Sequence, residues 1–294
     1  MTRTFSQATR GIGLIVLLLL ASVTRVGASG PPRLVVAASI NPLADFVRAV
    51  GDGLVDVITL VPPGASPHTY ELKPSQVTEV AKARLLVLNG AGLEYWAGRL
   101  VSAVGSDKLA VVDTSRGLPL LDEGPHAANP HVWLDVRQAM VQVRHIREAL
   151  VQADPAHAAA YEANATAYLA RLEQLDAEIA KQVSQWRQRR FISFHPAWVY
   201  FARRYGLEQA AVIESFPGRE PSPADVAHVV EVAKRIGARA VFAEPQFSSK
   251  AAEVIAQESG ARVLFLDPLG STLEHGGYVE LMRHDVAQMA SVME

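Results

Sequence analysis

Short apolar runs rich in valine and leucine recur along this chain, each followed by a stretch with helical spacing. In the first half they fall at 34–38, 54–61, 85–88 and 109–112, and in the second half at 191–194, 210–213, 240–242 and 263–266. Runs that are continuously apolar, rather than alternating, predict strands buried on both faces. Helical stretches between them predict βαβ units and parallel sheets. Two sets of four such runs predict an α/β protein of two lobes, each a four-stranded, mostly parallel sheet flanked by helices.

Between the two sets lies one long helical stretch, 155–187. Its apolar positions Tyr161, Ala165, Tyr168, Leu172, Leu175, Ile179, Val183 and Trp186 are spaced by three or four residues throughout, which is a single amphipathic stripe. Asp154 before Pro155 fits a helix cap followed by proline at the first helical position. At ~1.5 Å per residue the helix would be about 50 Å long, enough to run along both lobes. A coiled-coil dimerisation arm is the alternative. One stripe with sheets on either side favours packing within the chain, and so a monomer. The expected divisions are a leader at 1–28, an N-terminal lobe at 29–153, a linking helix at 154–188 and a C-terminal lobe at 189–294.

The leader is expected from its own pattern. Arg3 and Arg10 precede an apolar run at 11–23, and Val26-Gly27-Ala28 offers small residues for cleavage before Ser29. That run is short for a bilayer span, which needs roughly 20 residues. A secretory signal peptide and a periplasmic destination follow. Removing it takes away three arginines and no acid, leaving 25 basic against 30 acidic side chains, a net charge of −5 that speaks against nucleic acid as a partner. Cysteine is absent. Disulfides, thiolate ligands and a lipid-modified cysteine are thereby excluded, and any metal site has to be built from imidazole and carboxylate.

Nine histidines are present. His145, His157, His228 and His284 sit in helical patterns and read as solvated faces, and His275 reads as part of a surface turn. Three others differ. His68 follows the stiff loop Pro62-Pro63-Gly64-Ala65-Ser66-Pro67, His131 lies in Asn129-Pro130-His131-Val132-Trp133, and His195 comes directly after a predicted strand and before Pro196. In open parallel sheets, ligands bind in the crevice beyond the carboxyl ends of the strands. Taken singly, each of these histidines reads equally as a brace for its loop. Asp267, at the end of the last predicted strand and before Pro268, divides evenly between a cleft carboxylate and a turn residue. Three neutral imidazoles and one carboxylate make a closed set for zinc and also accommodate manganese, one ion per chain. Glu71, Glu214 and Glu244 are the nearest competing carboxylates. Glu244, at a predicted strand end, is placed to orient a ligand histidine.

Five ordered stretches together resemble the metal-binding solute receptors of ABC importers, the zinc and manganese family. They are Val61-Pro62-Pro63-Gly64-Ala65-Ser66-Pro67-His68-Thr69-Tyr70-Glu71, Asn129-Pro130-His131-Val132-Trp133-Leu134-Asp135, Phe194-His195-Pro196-Ala197-Trp198-Val199-Tyr200-Phe201, Phe242-Ala243-Glu244-Pro245-Gln246-Phe247-Ser248 and Leu266-Asp267-Pro268-Leu269-Gly270. The resemblance implies two α/β lobes joined by one rigid helix. It also implies metal ligands at His68, His131, His195 and Asp267, and a membrane permease of an ABC importer as partner. Members with glutamate at the third ligand position lean towards manganese, and His195 there leans towards zinc. The chain departs from many zinc receptors in lacking a histidine-rich loop before His131, where His126 stands alone. It also lacks the disulfide that some carry. Those departures keep manganese, and after it iron, as alternatives. A metal-dependent hydrolase is disfavoured because no His-Glu-x-x-His, Gly-x-Ser-x-Gly or glycine-rich phosphate loop is present. A surface adhesion protein with an incidental metal is the remaining alternative.

Overall fold

A computed structural model of the chain describes residues 1–2, 33–121, 128–271 and 276–294. The expected leader from Arg3 onward, His126 and His275 lie outside the described residues. Residues 33–294 form one compact unit.

All eight apolar runs are strands. In the first half β1 (Leu34–Ala38), β2 (Val55–Thr59), β3 (Leu85–Leu88) and β4 (Ala110–Asp113) form one parallel sheet in the order β2-β1-β3-β4. They alternate with the helices α1 (Asn41–Gly51), α2 (Pro74–Val80) and α3 (Ala97–Val104), and α4 (Val136–Ala153) follows. In the second half β5 (Arg190–Ser193) pairs with β6 (Glu208–Val212), and β7 (Ala240–Ala243) with β8 (Arg262–Phe265), all parallel. The two pairs lie side by side through β5 and β7 without a shared ladder among the described residues. Helices α6 (Val199–Tyr205), α7 (Pro223–Ile236) and α8 (Lys250–Ser259) fill the connections, and α9 (Tyr278–Met293) closes the chain.

Two central strands, β3 and β7, are buried throughout, as continuous apolar runs require. The edges behave differently. β4 leaves Val111 and β8 leaves Phe265 open to solvent, because an outer strand has a neighbour on one side only.

The long helix is α5 (Ala158–Val183), preceded by a 3-10 turn at Pro155–His157. Its 26 residues span about 39 Å. Every stripe position from Tyr161 to Trp186 is buried. Asp154 does not cap the helix with its side chain. Its carboxylate accepts instead from His157 Nδ1 at 2.6 Å and from the Tyr161 hydroxyl at 2.8 Å. The stripe packs on α1 and α4 from the first lobe and on α6 and α9 from the second. One polar residue sits within it. Asp176 is buried and accepts from Arg137 of α4, and from Arg204 and Tyr205 of α6, at 2.6–3.0 Å. Burial alone would raise its pKa, but the hydrogen bonds from Arg204 and Arg137 outweigh that and hold it below the ordinary carboxylate value.

Two apolar clusters result. The larger runs through the first sheet, α1, α4, α5 and α9, and the smaller lies between the second lobe's strands, α7 and α8. Helix α9 also reaches back to the first lobe. The Tyr278 backbone N–H donates to Asp45 at 2.8 Å, its hydroxyl donates to the Trp133 carbonyl, and its ring meets Phe46 edge-on at 4.8 Å.

Candidate metal centre

The loops that carry the three singled-out histidines converge. His68 arrives through the proline-rich segment that follows β2, whose first residues extend the pairing with β1: Leu60 and Val61 donate their N–H groups to Ala38 and Ser39. His131 stands before a 3-10 turn (Val132–Leu134) that leads into α4. His195 follows β5 and precedes the 3-10 turn Pro196–Trp198. The lobes are stitched together around this point. Trp133 Nε1 donates to the Pro268 carbonyl at 2.8 Å, and Asn129 Nδ2 to the Pro196 carbonyl at 2.6 Å.

Three Nε2 atoms meet. His131 Nε2 is 3.0 Å from His68 Nε2 and 3.0 Å from His195 Nε2. All three ligand atoms lie within 4.8 Å of one another. The opposite ring nitrogens decide what these contacts are. His131 Nδ1 lies 3.0 Å from Asn129 Oδ1, which also accepts the His131 backbone N–H and is therefore the amide oxygen. His195 Nδ1 lies 2.7 Å from Glu244 Oε1. Both partners are acceptors, so each Nδ1 carries the hydrogen and each Nε2 is left as a bare lone pair. Two lone pairs 3.0 Å apart repel unless a cation sits between them.

The electrostatics keep two of the rings neutral. Burial, followed by the neighbouring His195, pushes the pKa of His68 down to about 3. Burial, then His195 and His68, lowers His131 well below the ordinary histidine value. At neutral pH both are unprotonated, the state in which imidazole binds metal. The cavity between the rings has a volume of about 10 Å³, room for little more than one water-sized body.

Asp267 is not part of the three-ring cluster. It is buried nearby, and its carboxylate accepts from Gln246 Nε2 at 2.7 Å, Ser271 Oγ at 2.9 Å and the Leu269 N–H at 3.2 Å. Its own N–H donates to Asp285, whose pKa burial pushes well above the ordinary carboxylate range. Glu244, expected beside a histidine, hydrogen-bonds the His195 ring, and its Oε2 is buried without a donor among the described residues. Glu71 is exposed and outside the cluster. His145 hydrogen-bonds the Thr114 carbonyl at 3.0 Å rather than standing free on its helix. Asn129 and Gln246 escaped the sequence reasoning as functional positions. Both lay inside quoted stretches, but nothing about an isolated amide announces which atom it holds.

Gly218, in the loop after Glu214, meets the first lobe. A Cβ there would lie 2.7 Å from Thr69 Cγ2, and its φ of +88° suits glycine alone. The second lobe thus closes against the residue next to His68.

A family model described as "Zinc-uptake complex component A periplasmic" matches residues 36–292. The chain is 33% identical over 265 residues to a manganese-binding lipoprotein MntA of Halalkalibacterium halodurans, covering 87% of each. It is 29% identical over 273 residues to a high-affinity zinc uptake system protein ZnuA of Bacillus subtilis, covering 86% of each. Among solved structures, a crystal structure of ZnuA superposes with a TM-score of 0.82 at 35% identity, covering 89% of this chain and 99% of that one.

Proposed function

Given that this chain belongs to the family of periplasmic zinc-uptake components, we propose that it captures one divalent transition-metal ion, zinc first, and delivers it to the membrane permease of an ABC importer. The observation that carries this reading is the convergence of three histidine Nε2 atoms, two of them bare lone pairs, on one small cavity. His68, His131 and His195 would hold the ion. Asp267 would supply the fourth ligand by giving up its bonds to Gln246 and Ser271. Three imidazoles and a carboxylate suit zinc, and manganese is the second cargo considered. The reading makes the protein a carrier rather than a catalyst. It would act as a monomer in the periplasm after loss of residues 1–28. No helix among the described residues is long and apolar enough to cross a membrane. A helix packed along both lobes resists a wide hinge, so capture would proceed through loop shifts.

Metal analysis of protein taken from its native periplasm is expected to give one zinc per chain, and manganese in its place would select the second cargo. Zinc titration of His195→Ala should show affinity weakened by more than about 100-fold, beyond the loss usual for a supporting residue. An unchanged affinity would remove His195 from the site. Asp267→Asn, if it alone leaves zinc binding intact, would reduce the site to three nitrogens and a water.

A further inference from the structure

Beside the three-ring cavity lies a larger one of about 410 Å³. Its walls come from the loop that follows Glu214 and from residues 246–251 at the start of α8, with Phe194 and Val226 behind. Gln246 and Phe247 line both cavities and so form part of the partition between them. The Phe247 ring stacks on Phe194 at 4.8 Å and stands edge-on to His195 at 5.5 Å.

The two cavities differ in what they can admit. A divalent ion in water carries about six waters. That shell cannot fit among the imidazoles, where there is room for little more than one water-sized body, but the outer cavity accommodates it. The outer cavity also offers acceptors. Glu214 is only 4% exposed, and its Oε1 has no donor among the described residues. Gln246 uses its Nε2 on Asp267 and Ser271, which leaves its Oε1 without a donor as well. Glu220 adds an exposed carboxylate at the rim. Lys250 lines the same space, but it is exposed and its flexible stem lets the ammonium turn to water. Metal-bound waters point their hydrogens outward, so a hydrated dication presents donors to Glu220 directly and to the buried Glu214 and Gln246 oxygens once those side chains shift towards the cavity.

We propose that the cavity between Glu214 and Phe247 is an outer-sphere capture site, where the hydrated ion is held through its own waters before it is stripped and passed to His195. The proposal rests on the reading that the three histidines bind the ion. Steering by a buried carboxylate is a rate effect, which separates it from the ligand set.

Stopped-flow mixing with zinc chloride tests it on the whole protein. Glu214→Gln is expected to slow association about tenfold at low ionic strength and release by a similar factor, with equilibrium affinity moving less than about threefold. Ala251→Phe fills the cavity from the opposite wall without touching a carboxylate, and should slow association likewise. Hexaamminecobalt(III), an exchange-inert cation rich in hydrogen-bond donors, should slow zinc uptake by the unaltered protein but not by Glu214→Gln, with the same final occupancy. Unchanged rates in both variants would route the ion past His68, the least buried of the three rings, and overturn the proposal. Indifference to the cobalt complex would do the same. An affinity loss in Glu214→Gln as large as in His195→Ala would make Glu214 a direct ligand instead, and also overturn it. Failure of the unaltered protein to bind zinc at equilibrium would strike the receptor reading itself.

Discussion

The two lobes build their shares of the candidate metal centre by different means. The first lobe contributes two rings and relies on chain stiffness. Prolines lead to His68, and His131 is fixed by Asn129, a neutral amide two residues away. The second lobe contributes one ring and surrounds it with buried acid. Glu244 holds His195, Glu214 lies within electrostatic reach of both, and Asp267 and Asp285 stand behind. A buried carboxylate with an unmatched oxygen is costly unless a cation arrives. On the proposed reading the first lobe would bring the ion the bare Nε2 of His131 held in place by a neutral amide, and the second lobe would bring buried acid whose charge the ion offsets.

That contrast can be broken at Glu244. Glu244→Gln keeps an acceptor for His195 Nδ1 but removes the charge, so zinc binding should weaken roughly 10–100-fold. The metal-free protein should be no less stable, and a marked fall in its urea midpoint would mean that Glu244 is already matched without metal. Asn129→Ala should do the converse. It strips His131 Nδ1 and the Pro196 carbonyl of their partner, costing about 1–3 kcal/mol of unfolding free energy in the metal-free protein. Its effect on zinc affinity should be nearer to about tenfold.

Acid sharpens the difference on the first-lobe side. The His68 ring has a pKa of about 3 when folded and 6.5 when free, so between those values the unfolded chain binds the extra proton. Stability of the metal-free protein should thus fall as pH drops from about 7 to about 5. His68→Gln should flatten that slope by up to about 1.4 kcal/mol per pH unit, measured by urea unfolding across the range. An unchanged slope would mean that the ring is protonated in the fold. The smallest effect is expected at Asp285. Burial raises its pKa well above the ordinary carboxylate value and so disfavours its charged form, and Asp285→Asn, which preserves an acceptor for the Asp267 N–H, should shift unfolding by less than about 1 kcal/mol at neutral pH.

What the sequence revealed follows from the range over which each feature is determined. Buried parallel strands demand unbroken apolar runs, so all eight strands could be placed, and the stripe from Tyr161 to Trp186 marked α5 because spacing is a local property. The exposed faces of β4 and β8 could not be foreseen, since being an edge depends on which strand fails to appear alongside. The ladder missing between β5 and β7 is likewise a matter of neighbours. At the site, proline-flanked histidines were visible as a set. The partners of Asp267 were not, because Gln246 and Ser271 are distant ordinary residues that only folding brings together. Asp176 hid for a similar reason: one acid on an amphipathic helix looks solvated until Arg137 and Arg204 arrive from opposite lobes.

The return of α9 to the first lobe has a consequence for the order of assembly. Tyr278 reaches Asp45 across 233 residues and closes over Phe46 and Trp133. The first lobe thus borrows part of its wall from a helix far along the chain, and that wall is missing until α9 has been made. Contacts of such long range are slow to form. Completion of the first lobe's interior therefore waits on α9, whatever the speed at which its own sheet pairs.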